Sequence, residues 1–120
     1  MQPWPTDIAY DPATKALRVT FDSGEVFDLP AEYLRVESPS AEVQGHGPGQ
    51  KVIVPGRRHV GIMDVEQVGN YAVKIVFDDL HDTGLYSWKL LHELGREHES
   101  RWQRYLDALA AKGLSREPKK

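Results

Sequence analysis

The densest group of side chains able to do chemistry lies at Asp78, Asp79, His81 and Asp82. Three carboxylates and an imidazole this close together can ligate a divalent cation such as iron or zinc. The competing reading is a solvated turn ahead of a helix. In that reading one Asp or Thr83 caps the helix, and Asp82 sits where the helix N-terminus favours negative charge. The spacing matches no specific ligand motif, which favours the turn.

His46 is a second candidate, because Gly45-His-Gly-Pro-Gly49 would let the backbone approach a metal or ligand closely. An exposed loop histidine is the plainer reading. Ser38 and Ser40 could supply a nucleophile, but neither stands in Gly-x-Ser-x-Gly, and a serine needs an oriented base. Gly45, Gly47 and Gly49 resemble a phosphate cradle only loosely, since no Lys-Ser/Thr ending and no helix follows. His59, His92 and His98 have no partners nearby in sequence, and the last two are expected to titrate as surface histidines. Trp88, Trp102 and Tyr105 ride apolar helix faces and read as core.

Two β-hairpins must position these groups. Leu17, Val19 and Phe21 alternate with Arg18 and Thr20, Asp22-Ser-Gly24 turns the chain, and Val26–Leu29 returns it, so 16–29 reads as one hairpin. Residues 62–77 form the second, turning at Gly69-Asn70, with Tyr71, Val73, Ile75 and Phe77 on one face. Ile8–Tyr10 is a further short strand and Pro30–Arg35 a helical turn. Residues 36–59 are irregular, with a short strand expected at Lys51–Val54. From Leu85 the apolar spacing becomes helical, with Gly95 as a weak point, and a second helical stretch ends at Gly113 before a frayed tail. Strands first and helices last predict an α+β fold: an antiparallel sheet of two hairpins packed by C-terminal helices.

Three stretches taken together carry a family resemblance: Phe21–Pro30, then Leu34-Arg35 with Ser38–His46, then Val68–Trp88. Their order and spacing resemble the gamma-butyrobetaine hydroxylase-like N-terminal domain, also called domain of unknown function 971, in its stand-alone bacterial form. The resemblance covers residues 5–95, so 1–95 is expected to be that domain, with 96–120 a helical extension of the same globular unit. In the carnitine-pathway hydroxylases it precedes an iron- and 2-oxoglutarate-dependent catalytic domain and holds zinc on three cysteines and a histidine. Carried over by position, those ligands fall at Ser38, Ser40, Val43 and His81. Only the imidazole remains, and a structural zinc needs four strong ligands. No tetrahedral zinc and no cofactor is therefore expected; instead His81 would hydrogen-bond Ser38, Ser40 or a loop carbonyl. The hydroxylase's catalytic barrel is expected to be absent.

The same domain occurs fused to Mrp-type ATPases that carry iron–sulfur clusters. The resemblance thus implies a non-catalytic accessory or protein-interaction module, with an iron–sulfur carrier ATPase as partner and residues 36–59 and 78–84 as the contact surface. The alternative is a divalent-metal protein using His81, Asp78, Asp79, Asp82 and His46.

Bulk properties agree with a small self-sufficient domain. The 120 residues contain no cysteine, which excludes disulfides, thiolate metal sites and cysteine catalysis. A net charge of −3 without a basic face argues against nucleic acid as a partner. No apolar run is long enough to span a bilayer and no signal peptide is evident, so a cytoplasmic location is expected.

Overall fold

The alternation along strand β2 (Ala16–Phe21) buries Leu17, Val19 and Phe21 to within 2% of full burial and leaves Arg18 in solvent. The computed structural model describes residues 3–45 and 51–118. Strand β2 pairs antiparallel with β1 (Pro5–Asp11) on one side and β3 (Val26–Pro30) on the other. Short helices α1 (Ala31–Val36) and α2 (Ala41–Gln44) follow, then β4 (Ile62–Val68), β5 (Ala72–Phe77) and β6 (Leu85–Ser87). Helices α3 (Trp88–Arg96) and α4 (His98–Ala111) close the order. The fold is α+β, as the element order implies.

The two hairpins do not join into one sheet. Each recruits a third strand and becomes a separate three-stranded antiparallel sheet, β1-β2-β3 and β4-β5-β6. Leu17, Phe21 and Leu29 from the first sheet meet Ile75, Phe77 and Tyr86 from the second in one core, which Leu91 and Leu94 of α3 close. Burying each such side chain is worth roughly 1.5–3 kcal/mol. A second core forms where Val36, Val43 and Val54 meet Tyr105 and Leu109 of α4.

Several local expectations are corrected. The 69–70 connection is one residue longer than a two-residue turn, because Val68 pairs with Ala72. Tyr71 therefore sits in the turn, 54% exposed, instead of joining Val73, Ile75 and Phe77 in the core. Leu85–Ser87 is strand, and α3 starts only at Trp88, where the Ser87 hydroxyl accepts the Leu90 N–H as the cap. No strand forms at 51–54. Gly95 is not a weak point but a close approach: a Cβ there would lie 2.4 Å from the Phe27 ring. The segment after Gly113 does not fray through its described part. Arg116 grips Glu32 with two hydrogen bonds of 2.8 and 2.6 Å, and the Gly56 N–H donates to the Ser115 carbonyl. His46 lies outside the described residues.

Candidate functional site

Two segments far apart in sequence meet beside α1. Strand β5 ends at Phe77 and turns sharply, with the Phe77 N–H donating to the His81 carbonyl and the Leu80 N–H to the Phe77 carbonyl. This turn delivers His81, 6% exposed, against the segment that leaves α1. There Ser40 caps α2 by accepting the Glu42 N–H, so Glu42 in the first turn projects at the same histidine.

The contacts form a relay. Ser38 Oγ lies 2.8 Å from His81 Nε2, and Glu42 Oε2 lies 2.9 Å from His81 Nδ1. A carboxylate can only accept, so the ring hydrogen sits on Nδ1 and points at Glu42, and Nε2 accepts from the Ser38 hydroxyl. Burial, followed by the nearby Arg35 charge, depresses the His81 pKa below its ordinary value and outweighs the opposing pull of Glu42 and Asp79. This shift favours the neutral imidazole. The Ser40 N–H donates to Ser38 Oγ, and the Ser40 and Thr83 hydroxyls meet at 2.6 Å. Gly84 leaves the room this needs, since a Cβ there would fall 2.5 Å from Ser38 Oγ.

Nucleophile, base and carboxylate in this order are the arrangement of a serine hydrolase. Access is what differs. Ser38 is 0% exposed and His81 6% exposed. With the hydroxyl buried, the relay joins residues 38–42 to residues 81–83 as a clamp.

The acidic cluster is dispersed. Asp79 Oδ2 accepts from Arg35 Nε at 2.8 Å and Arg57 Nε at 2.7 Å, while its other oxygen accepts the His81 N–H. Burial alone would raise its pKa, but the Arg35 hydrogen bond, the His81 N–H and the two guanidinium charges outweigh this and lower it. The Asp78 N–H donates to the Gly61 carbonyl and its side chain lies beside Gly61, while among the described residues Asp82 approaches Lys74 at 3.9 Å. Among the described residues no three His, Asp or Glu side chains are grouped as metal ligands. Of the positions carried over as ligands, Ser38, Ser40 and His81 come together, but Val43 points into the second core.

Glu42, Thr83, Gly84, Arg35 and Arg57 were missed in the sequence. Only Glu42 had a usable signal, an acidic residue in the first turn after a serine cap. The two helical histidines are also not surface-like. His98 stacks on Tyr33 at 4.3 Å and its pKa is lowered by burial, while His92 Nε2 lies 2.8 Å from Glu25 Oε1.

Comparison with known proteins gives the family and the fold. Residues 8–92 match the family model described as gamma-butyrobetaine hydroxylase-like, N-terminal. Two NMR solution structures are similar throughout. One is 44% identical with a TM-score of 0.87, covering 100% of this chain and 94% of that one. The other is 48% identical with a TM-score of 0.83, covering 97% of this chain and 86% of that one. A crystal structure of a protein of unknown function from Acidithiobacillus ferrooxidans, in the DUF971 family, is 34% identical over 76% of this chain and 91% of that one, with a TM-score of 0.65. No curated protein matches.

Proposed function

The chain belongs to the gamma-butyrobetaine hydroxylase-like N-terminal family, and from that premise we propose that it is a non-catalytic protein-interaction module whose contact face is built on the clamped 78–83 turn. Leu80 carries the reading. It is 81% exposed and holds a left-handed φ of 72° at the tip of that turn. A leucine in this conformation costs about 1–2 kcal/mol, and Gly or Asn would fit with less strain. Its exposure returns almost no burial to offset the cost. Around it the turn is tied down: Asp79 is held by two arginines and His81 by the relay. An exposed apolar side chain on a tethered turn, ringed by charge, has the form of an interface anchor.

The partner class follows from the family resemblance, an iron–sulfur carrier ATPase of the Mrp type. The domain would act by docking, and the buried Ser38–His81–Glu42 relay would set the shape of the face. Biolayer interferometry with a purified ATPase of this type tests the reading. Binding should weaken at least tenfold in Leu80→Asp and persist in Val26→Asp, a control at another exposed apolar residue. Equal binding by wild type and Leu80→Asp would remove Leu80 from the interface and the reading with it.

A further inference from the structure

The two sheets leave adjoining edges without a ladder between them. Among the described residues β1 forms a main-chain ladder only with β2, and β4 only with β5. A groove runs between β1 and β4, with cavity volumes of about 390 and 230 Å³ along its two halves. Ile8 and Val65 line both halves. At one end the Tyr10 hydroxyl accepts the Ile62 N–H at 3.1 Å, and at the other Trp4 stands edge-on to Trp88 at 6.3 Å. The strands thus run antiparallel side by side, too far apart to pair.

We propose that this groove binds an extended peptide segment of a protein partner, one that alternates apolar and basic side chains. The occupant's conformation follows from the edge. The outward amides of Ile62 and Val65 are taken by side chains, the Tyr10 hydroxyl and Asp64 Oδ1, where a neighbouring strand would offer carbonyls. An incoming strand can replace those stand-ins with main-chain bonds, the usual mode of β-augmentation. The groove from Trp4 to Tyr10 spans roughly 20 Å at strand rise, enough for six or so extended residues.

The occupant's chemistry follows from the lining. Ile8, Val65 and Trp88 supply the apolar wall, while Asp7 and Asp64 are the charged residues bordering it, and neither wall presents a Lys or Arg. Alternate side chains of a bound strand point to opposite faces, so apolar residues would meet the wall and basic ones the acids. Pairing with a second copy would bring acids against acids. The inference extends the interaction-module reading to a second surface and stands separately from the Leu80 face.

Selection of a randomised twelve-residue peptide library displayed on phage against the full chain tests it. Enriched peptides should alternate apolar and basic residues and slow amide exchange in β1 and β4. Their affinity should fall at least tenfold in the Asp7→Lys/Asp64→Lys variant and stay unchanged in Leu80→Asp. Both acids are exposed, so the double variant should keep the wild-type melting temperature, and peptides can be selected afresh on it if it does not. Absence of enrichment, peptides protecting other strands, or a concentration-dependent dimer protecting β1 and β4 without peptide would each overturn the proposal.

Discussion

The Ser38 hydroxyl lies 2.8 Å from His81 Nε2, although 43 residues separate them in the chain. That bond ties the segment after α1 to the turn after β5. Both groups are buried, so removing one leaves the other without its partner in a place water does not reach.

Replacing His81 with Ala should destabilise the protein by about 2 kcal/mol, the cost of an orphaned buried hydroxyl together with lost packing. Amide exchange should rise in residues 37–45 and change little in β2. Urea unfolding and hydrogen-exchange mass spectrometry check both. Unchanged protection of 37–45 would show that the clamp does not hold this segment.

Stability should depend on pH through the same residue. The folded state keeps His81 neutral, by burial and the Arg35 charge against the pull of Glu42 and Asp79. An unfolded chain takes up a proton near the ordinary value of 6.5. Below that pH the unfolded state binds more protons, so stability is full above pH 6.5 and falls as pH drops toward the lowered folded value. His98, lowered by burial, adds a slope of the same sign. Melting temperatures between pH 7.5 and 5 should decline in the wild type and decline less in His81→Gln.

Leu80→Asn should raise the stability of the isolated chain by roughly 0.5–1 kcal/mol, because Asn tolerates the left-handed region better than Leu. The same change should weaken partner binding. Denaturant midpoints and interferometry on one preparation separate the two effects, and a loss of stability would refute the strain argument.

At Gly95 the helix rule inverts. An exposed helical Gly→Ala change commonly stabilises, by up to about 1 kcal/mol. Here the added methyl would meet the Phe27 ring at 2.4 Å, so Gly95→Ala should destabilise by roughly 1–3 kcal/mol. Thermal unfolding measures it directly.

Calorimetric titration with zinc or ferrous iron should show no micromolar site that depends on His81. Its two ring nitrogens face Ser38 and Glu42, and Asp79 is already held by two guanidinium groups. A tight site abolished by His81→Ala would instead support the metal-binding alternative.

Much of the architecture was readable from local pattern. Alternation over 17–21 and 73–77 reports which side chains face a core, because a strand turns one residue in two inward. The helical spacing of Leu91, Leu94, Tyr105 and Leu109 reports the buried face of α3 and α4 in the same way. The ends of elements were less legible. Tyr71 and Leu85 have good strand or helix credentials, and one added turn residue or one later cap decided their places.

From the sequence alone came the α+β class, the two hairpins and the family, whose resemblance in turn implied that His81 meets the serines after Leu34-Arg35. Those are properties of short-range periodicity and of motifs, which a linear chain carries in order. Only the tertiary structure decided that the hairpins form two sheets, that Glu42 and not Val43 meets His81, and that Asp79 belongs to two arginines. It also decided that Ser38 is sealed from solvent and that an open groove lies between β1 and β4. Such choices depend on which long-range contacts bury the most surface while satisfying every polar group, and that competition is settled in three dimensions.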